Sequence, residues 1–402
     1  MNYNDLVSKY GTPLFIFDKA EIESNFNNFK SAFSSIDNLK IYYSIKTNNI
    51  PDLISPLSRL GAAAEVASIQ DMKRATDAKF ELTQSVLDGI YKSQRTISYA
   101  IGNQIPLINI ESQDELKQID KTSKNYNIIQ NIGLRINFSQ KTKLTDYEWI
   151  LNHPSDRFGL SEQEAKYVCN TISQYPNVRL TGLMTHPYNN YTKLLNLAKY
   201  IIDTYHLDID TINFGGGFKP ENTYDVSMFS IAEDAARKKF GISRKAEKHY
   251  PSNLKQICST IKSSIEDSHL SFDSVCFEPG RLFMSSAGKL LTKVGLIKND
   301  WIVVDAGTNL LFGGYLEKHN ITKLNQSRSD LLVCVNVAGP LLFRNDILAL
   351  DCTIPSPKID DVLIIHDVGA YNLARSNQFI FERPCVVLVN NNEETFVKIE
   401  GW

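Results

Sequence analysis

The stretch "IYYSIKTNN", residues 41–49, sets Ile41, Tyr42 and Tyr43 side by side and then presents Lys46 and a polar Thr-Asn-Asn tail. This is the pattern of a core strand delivering one amine to its C-terminal rim. A buried ammonium is costly, so such a lysine is paired, reaches water, or is used chemically. Taken alone, the stretch favours a solvated strand-end lysine.

Seven further runs repeat the form: "AAAEVAS" (62–68), "TQSVLDG" (83–89), "PLINIES" (106–112), "IGLRINF" (132–138), "RLTGLMTH" (179–186), "DTINFGGG" (210–217) and "DSVCFEPG" (273–280). Eight strand-like runs with helix-length spacers between most of them have the rhythm of a (β/α)8 barrel; a doubly wound open sheet would alternate similarly. The barrel is favoured because nearly every run ends in polar or glycine residues (Lys46, Glu65, Arg135, His186, Gly215 to Gly217, Glu278), and barrel strand ends converge on one site. After residue 283 the rhythm changes. "AGKLLTKVGLIK", "WIVVDAG", "DLLVCVNVAGP", "DVLIIHDVG" and "RPCVVLVNNN" are strands separated by turns, which predicts a mostly antiparallel β domain. The early run "TPLFIFD" (12–18), a strand with no helical partner before it, is expected to join that sheet. The expected division is a barrel over 20–282 and a β domain from 1–19 and 283–402, with the polar segment around 219–250 as helical decoration.

The 402 residues suit two domains with a substantial core. A net charge of -2 gives no broad basic field and argues against nucleic acid or an anionic membrane as partner. Six scattered cysteines, without CxxC or clustering with histidine, argue against a metal site and a disulfide framework and imply a reducing compartment. With no signal-like N-terminus and no membrane-length apolar run, the expectation is a soluble cytoplasmic protein.

Three glycines in "NFGGGF" (213–218) leave backbone N–H groups free to point at one anion, although a tight turn would use the same residues. In "FEPGRLF" (277–283), Glu278 and Arg281 could simply pair with each other. If the ligand is a nitrogen heterocycle bearing a phosphate, a carboxylate keeps the ring nitrogen protonated and an arginine helps hold the phosphate. His186, an ordinary polar residue on its own, could stack on the face of such a ring. A strand-end lysine, a carboxylate and a glycine loop on one barrel face are the parts that pyridoxal 5'-phosphate requires, and they make Lys46 the lysine that bonds to it.

With these parts in order, the sequence resembles the fold-type III pyridoxal-phosphate decarboxylases, the group of ornithine, diaminopimelate and arginine decarboxylases. "YGTPLFIFD", "YYSIKTN", "AAAEVAS", "DRFGL", "NFGGGF", "EPGR", "DAGTN" and "DVGAYN" follow in the family's order. The resemblance implies an alanine-racemase-like barrel plus a β domain, acting as a homodimer whose sites draw on both subunits. It implies that Lys46 carries the cofactor, Glu278 contacts the ring nitrogen, Glu65 and Arg135 lie near the ring and its O3′ side, and His186 stacks on the ring. Gly216, Gly217, Gly280, Arg281 and Tyr371 resemble the phosphate contacts. Asn189 stands where a phosphate-binding serine is usual and can still donate to phosphate.

The departures concern substrate and proton transfer. In "GPLLFRND" (339–346), Leu342 replaces the family's cysteine, which the partner subunit contributes to reprotonate the α-carbon. Phe343 replaces the acid that recognises a distal amine. Cys352 lies ten residues later and is not a positional substitute. Gly313 and Gly314 stand near where diaminopimelate enzymes place an arginine and a proline. Racemisation needs proton exchange on both faces of the α-carbon, so losing the second-face acid harms it more directly than decarboxylation, although Tyr315 could serve. The expected activity is therefore decarboxylation of an L-amino acid unlike free diaminopimelate, its distal amine absent, masked or bound elsewhere. An N-acylated ornithine or diaminopropionate, such as a citrate conjugate in siderophore synthesis, satisfies this, with Arg344 as an anion contact. An amino-acid racemase and a catalytically silent cofactor-binding paralogue are the alternatives.

Overall fold

The computed structural model describes residues 2–138, 157–225, 233, 236, 250–391 and 393–399. The chain divides into two compact units, one of Phe26–Phe218 and Asn253–Gly280, the other of Met1–Asn25, Lys219–Ser252 and Arg281–Trp402.

In the first unit, eight parallel strands close into a barrel. They are Leu39–Ser44, Ala63–Val66, Val86–Leu87, Leu107–Ile110, Gln130–Ile136, Val178–Thr185, Thr211–Asn213 and Ser274–Phe277, the last pairing with the first. All eight expected runs supply a strand, so the closed barrel holds and the open sheet does not. Tyr42, Ala63, Val86, Leu107 and Cys276 share a buried cluster from five of these strands. Four of the described helices between strands start at a serine. Ser68, Ser93, Ser112 and Ser161 each accept a hydrogen bond from the backbone three residues on, and Glu164 completes a capping box with Ser161.

In the second unit, nine strands form one sheet. The N-terminal strand Leu14–Asp18 sits inside it, antiparallel to Gly288–Lys298 and parallel to Cys385–Asn390. Trp301–Val304 is parallel to Leu332–Ala338, and the remaining pairs are antiparallel. Contrary to expectation, a helix does precede the first strand: Tyr3–Tyr10, capped by Asn2, buries Leu6 against Leu14, Ile16, Leu291 and Val387. Eight residues with one fully buried side chain are too few for a readable period. The sheet also contains Ile347–Pro355, Ile321–Lys323 and Glu393–Phe396, which the sequence reading did not separate. Of the 219–250 segment, Tyr224–Asp225 pairs with Glu317–Lys318, whereas the helical reading falls largely on residues outside those described. No helix among the described residues is long and apolar enough to cross a membrane.

Candidate active site

The barrel strands end in a ring of charge. Lys46 lies just past Leu39–Ser44, in the short turn Ile45–Thr47, with Nζ 3.1 Å from Glu65 Oε1 and 3.2 Å from Oε2. Glu65, 1% exposed, also accepts from the Ser44 hydroxyl, while Lys46 remains 57% exposed. The lysine is thus both paired with a buried carboxylate and more than half exposed. Burial alone would push the Glu65 carboxyl up, but Lys46, the Ser44 hydroxyl and Arg135 hold it below the usual carboxylate range.

Arg135 donates to Glu111 at 2.8 Å, and Glu111 also accepts from the Gly159 N–H at 2.7 Å. The Phe158 ring has Arg135 5.0 Å and Arg157 4.8 Å from its centre, which gives the "RFGL" part of the motif a physical role; Asp156 lies outside the described residues. Burial opposes the Arg135 charge, yet Asp88, Glu111 and Glu278 raise its pKa.

Glu278 ends Ser274–Phe277 inside the ring, and its Oε1 accepts from the neutral Asn213 amide at 2.7 Å. Burial first, then the charges of Asp88 and Glu65, push its carboxyl well above the ordinary range. Asp88, which accepts from Asn109 at 2.6 Å, is raised for the same leading reason. Sequence reading missed Asp88, Glu111 and Asn213, although Asp88 and Glu111 stand at strand ends and fit the rule that selected the other residues.

His186 follows Val178–Thr185, and its Nδ1 accepts from the Gly216 N–H at 3.2 Å. Its side chain is exposed, yet the strand-end ring around it desolvates it, and that desolvation, followed by the Arg135 and Lys46 charges, brings its pKa down to about 4, so the ring is neutral at pH 7. The glycine loop packs beside it: a Cβ on Gly216 would lie 2.7 Å from the Glu278 carbonyl oxygen, and one on Gly217 2.7 Å from Pro187 Cβ. Because the obstacle at Gly216 is backbone, Gly216→Ala is expected to cost about 1–3 kcal/mol in thermal or urea unfolding; an unchanged midpoint would show that the loop yields freely. Asn189 is exposed in the turn Tyr188–Asn190, while Asn190 beside it is buried.

Arg281 and Tyr371 belong to the other unit, where the guanidinium lies 5.2 Å from the Tyr371 ring centre and 3.6 Å from Glu317. Leu342 is 91% and Phe343 48% exposed, and Phe343 meets Phe379 edge-on at 6.4 Å. Arg344 is exposed, and Cys352 sits within Ile347–Pro355, opposite Val335, away from the 339–346 turn in the strand register. A cavity of about 380 Å³ in this unit is lined by Phe312, Tyr315, Phe343 and Phe379 with the amides of Asn309 and Asn345 among others; none of its described lining residues carries a charge.

The family description "pyridoxal-dependent decarboxylase, pyridoxal binding domain" matches residues 19–285. Diaminopimelate decarboxylases from Neisseria meningitidis serogroup B and Aquifex aeolicus are each 24% identical, over 98% and 99% of this chain and 92% and 91% of theirs. The structure of Helicobacter pylori diaminopimelate decarboxylase complexed with L-lysine superposes with a TM-score of 0.83 at 23% identity, covering 99% of this chain and 96% of that one. Lysine/ornithine decarboxylase from Vibrio vulnificus complexed with cadaverine gives 0.77 at 18%, covering 96% and 95%. The chain belongs to the fold-type III pyridoxal-phosphate-dependent decarboxylase family. It is a carboxy-lyase of the diaminopimelate and ornithine decarboxylase type, with pyridoxal 5'-phosphate as cofactor.

The residues present fit that cofactor. The loop at Gly216 and Gly217 packs its backbone directly against Glu278, His186 and Pro187, closer than a side chain would allow, which holds the glycine N–H groups beside the strand-end ring. Thr47 Oγ1 is buried without a hydrogen-bond partner among the described residues, in the place where a Cβ on Gly280 would fall. The Glu278 carboxyl, raised by burial and accepting from a neutral amide, would be well matched to a protonated ring nitrogen.

Proposed function

We propose that the protein removes the α-carboxylate of an L-amino acid whose distal amine is masked as an amide, an N-acylated diamino acid such as a citrate conjugate of ornithine or diaminopropionate. The observation that carries this reading is the uncharged aromatic and amide cavity beside Phe343, where a free ammonium would lose hydration without meeting a carboxylate. Arg344, exposed on the same turn, is the proposed contact for an anionic acyl group. A second reading, diaminopimelate itself, is favoured by the names of relatives matched along nearly the whole chain.

The cofactor supplies the electron sink once bound. In this proposal Lys46 would hold the cofactor until the substrate amine takes its place, and the freed Nζ, beside Glu65, would then donate a proton to the α-carbon on its own face. Glu278 holds a proton at the ring nitrogen. Glu65 and Arg135 would hold the ring edge, and neutral His186 would lie against the ring face without adding a cation. Gly216, Gly217, Gly280, Arg281, Tyr371 and Asn189 hold the phosphate. The working unit is proposed to be a homodimer in which Leu342 and Phe343 face the partner's substrate.

The test is mass spectrometry of a substrate panel incubated with holoenzyme in deuterated water: ornithine, lysine, diaminopimelate and their N-citryl conjugates. Loss of the carboxyl mass from the conjugates, with at least about a tenfold preference over the free diamino acids, is the expected result. Phe343→Asp should shift that preference about tenfold toward the free amines. Preferred turnover of diaminopimelate with no effect of Phe343→Asp would select the second reading, and retained carboxyl with α-deuterium would mean a racemase.

A further inference from the structure

Glu317 opens the two-residue strand Glu317–Lys318 and is 8% exposed. Its Oε1 lies 3.6 Å from the Arg281 guanidinium and its Oε2 3.6 Å from His319 Nε2. The His319 ring is itself fixed, because Nδ1 donates to the His366 carbonyl oxygen at 2.9 Å. Burial pushes the Glu317 carboxyl up, but the His319 contact and the charges of His319, Arg281 and Arg375 outweigh it and hold the group below the usual carboxylate range. It is an anion at neutral pH.

The space for this side chain is built into the sequence. A Cβ on Gly313 would lie 2.5 Å from Glu317 Cβ and 2.9 Å from Oε2, so glycine at 313 is what lets the carboxylate occupy its position. Arg281 is thereby constrained from two directions, its plane near the Tyr371 ring and its edge at Glu317. An arginine has many rotamers, and freedom already lost before a ligand arrives does not have to be lost on binding.

We propose that Glu317 is a positioning residue that presets Arg281 for the cofactor phosphate, so that the phosphate-dependent share of cofactor affinity rests on a carboxylate that does not touch the cofactor. The proposal rests on the assignment of Arg281 to the phosphate.

The test is absorbance titration of apoenzyme with pyridoxal 5'-phosphate and, separately, with pyridoxal, for the wild type, Glu317→Ala, Glu317→Gln and Arg281→Ala. In Glu317→Ala the Kd for pyridoxal phosphate should rise about tenfold and that for pyridoxal stay within about twofold. Glu317→Gln, of the same size and shape, should show an intermediate loss and guards against a folding defect as the cause. Equal weakening of both ligands would mean a merely structural residue and overturn the proposal, as would no weakening of either. If Arg281→Ala collapses the ratio of the two Kd values while Glu317→Ala does not, the inference alone fails. If Arg281→Ala leaves the ratio at its wild-type value, the phosphate assignment fails and the inference with it.

Discussion

Replacing Lys46 with alanine is expected to lower decarboxylation by a factor on the order of 10³–10⁴, the range lost with a positioned proton-transfer group, and to abolish covalent cofactor attachment. The choice of lysine follows from its surroundings. Lys92 is also at the barrel and also paired, but it is fully enclosed, with Nζ 3.0 Å from Glu115 and 2.6 Å from the Gly89 carbonyl oxygen. Lys46 has a buried counter-ion and yet remains 57% exposed, so that its amine can reach an aldehyde from solvent and release it again. Borohydride reduction of the holoenzyme followed by peptide mass spectrometry should place the cofactor mass on the peptide containing Lys46. A label on any other lysine would reassign the site. The same substitution leaves Glu65 buried without its ammonium. The cost should fall below the roughly 3–5 kcal/mol of a broken, fully buried pair, because more than half of Lys46 is already in water and the Ser44 hydroxyl and Arg135 charge remain. A thermal melt separates that loss from the catalytic one.

Much of this site could be read before the structure, for a reason visible in the strands. A barrel repeats one unit, so a single rule, an apolar run ending in a polar residue, selected Lys46, Glu65, Arg135, His186 and Glu278 together. The same rule applied without exception would have included Asp88 and Glu111, whose carboxylates set the charge around Arg135. Asn213 was harder: it ends Thr211–Asn213, but the glycines after it drew the reading to themselves. Glu317 carried no local sign at all. Its position depends on Gly313 and His319 close by in the chain and on Arg281, 36 residues earlier, which only folding brings to it. The β domain behaved likewise, since a helix of eight residues and strands of two to four are below the length at which a period is legible.

The expected effects of Glu278→Gln have opposite signs for stability and for catalysis. In the apoprotein the Glu278 carboxyl keeps its proton far above the ordinary value near 4.3, because it is buried and faces Asp88 and Glu65. The unfolded chain releases that proton near the ordinary value. Between the two values the unfolded state binds fewer protons, so this group lowers stability as pH rises. Glutamine is neutral, similar in size, and keeps an oxygen for the Asn213 amide. The Glu278→Gln apoprotein should therefore melt higher than the wild type at pH 8, with the difference closing toward pH 4; a constant difference across that range would mean that titration of Glu278 is not its source. Catalysis should fall by about 10²–10³, the loss expected when one fixed electrostatic partner of the reacting system is removed, because an amide cannot take the negative charge that keeps a proton on the ring nitrogen. A carboxylate that destabilises the empty fold and is needed in the loaded one marks a place where sequence serves chemistry at the expense of stability. If activity survives the substitution, Glu278 is a buried structural acid and the ring nitrogen needs no charged partner here.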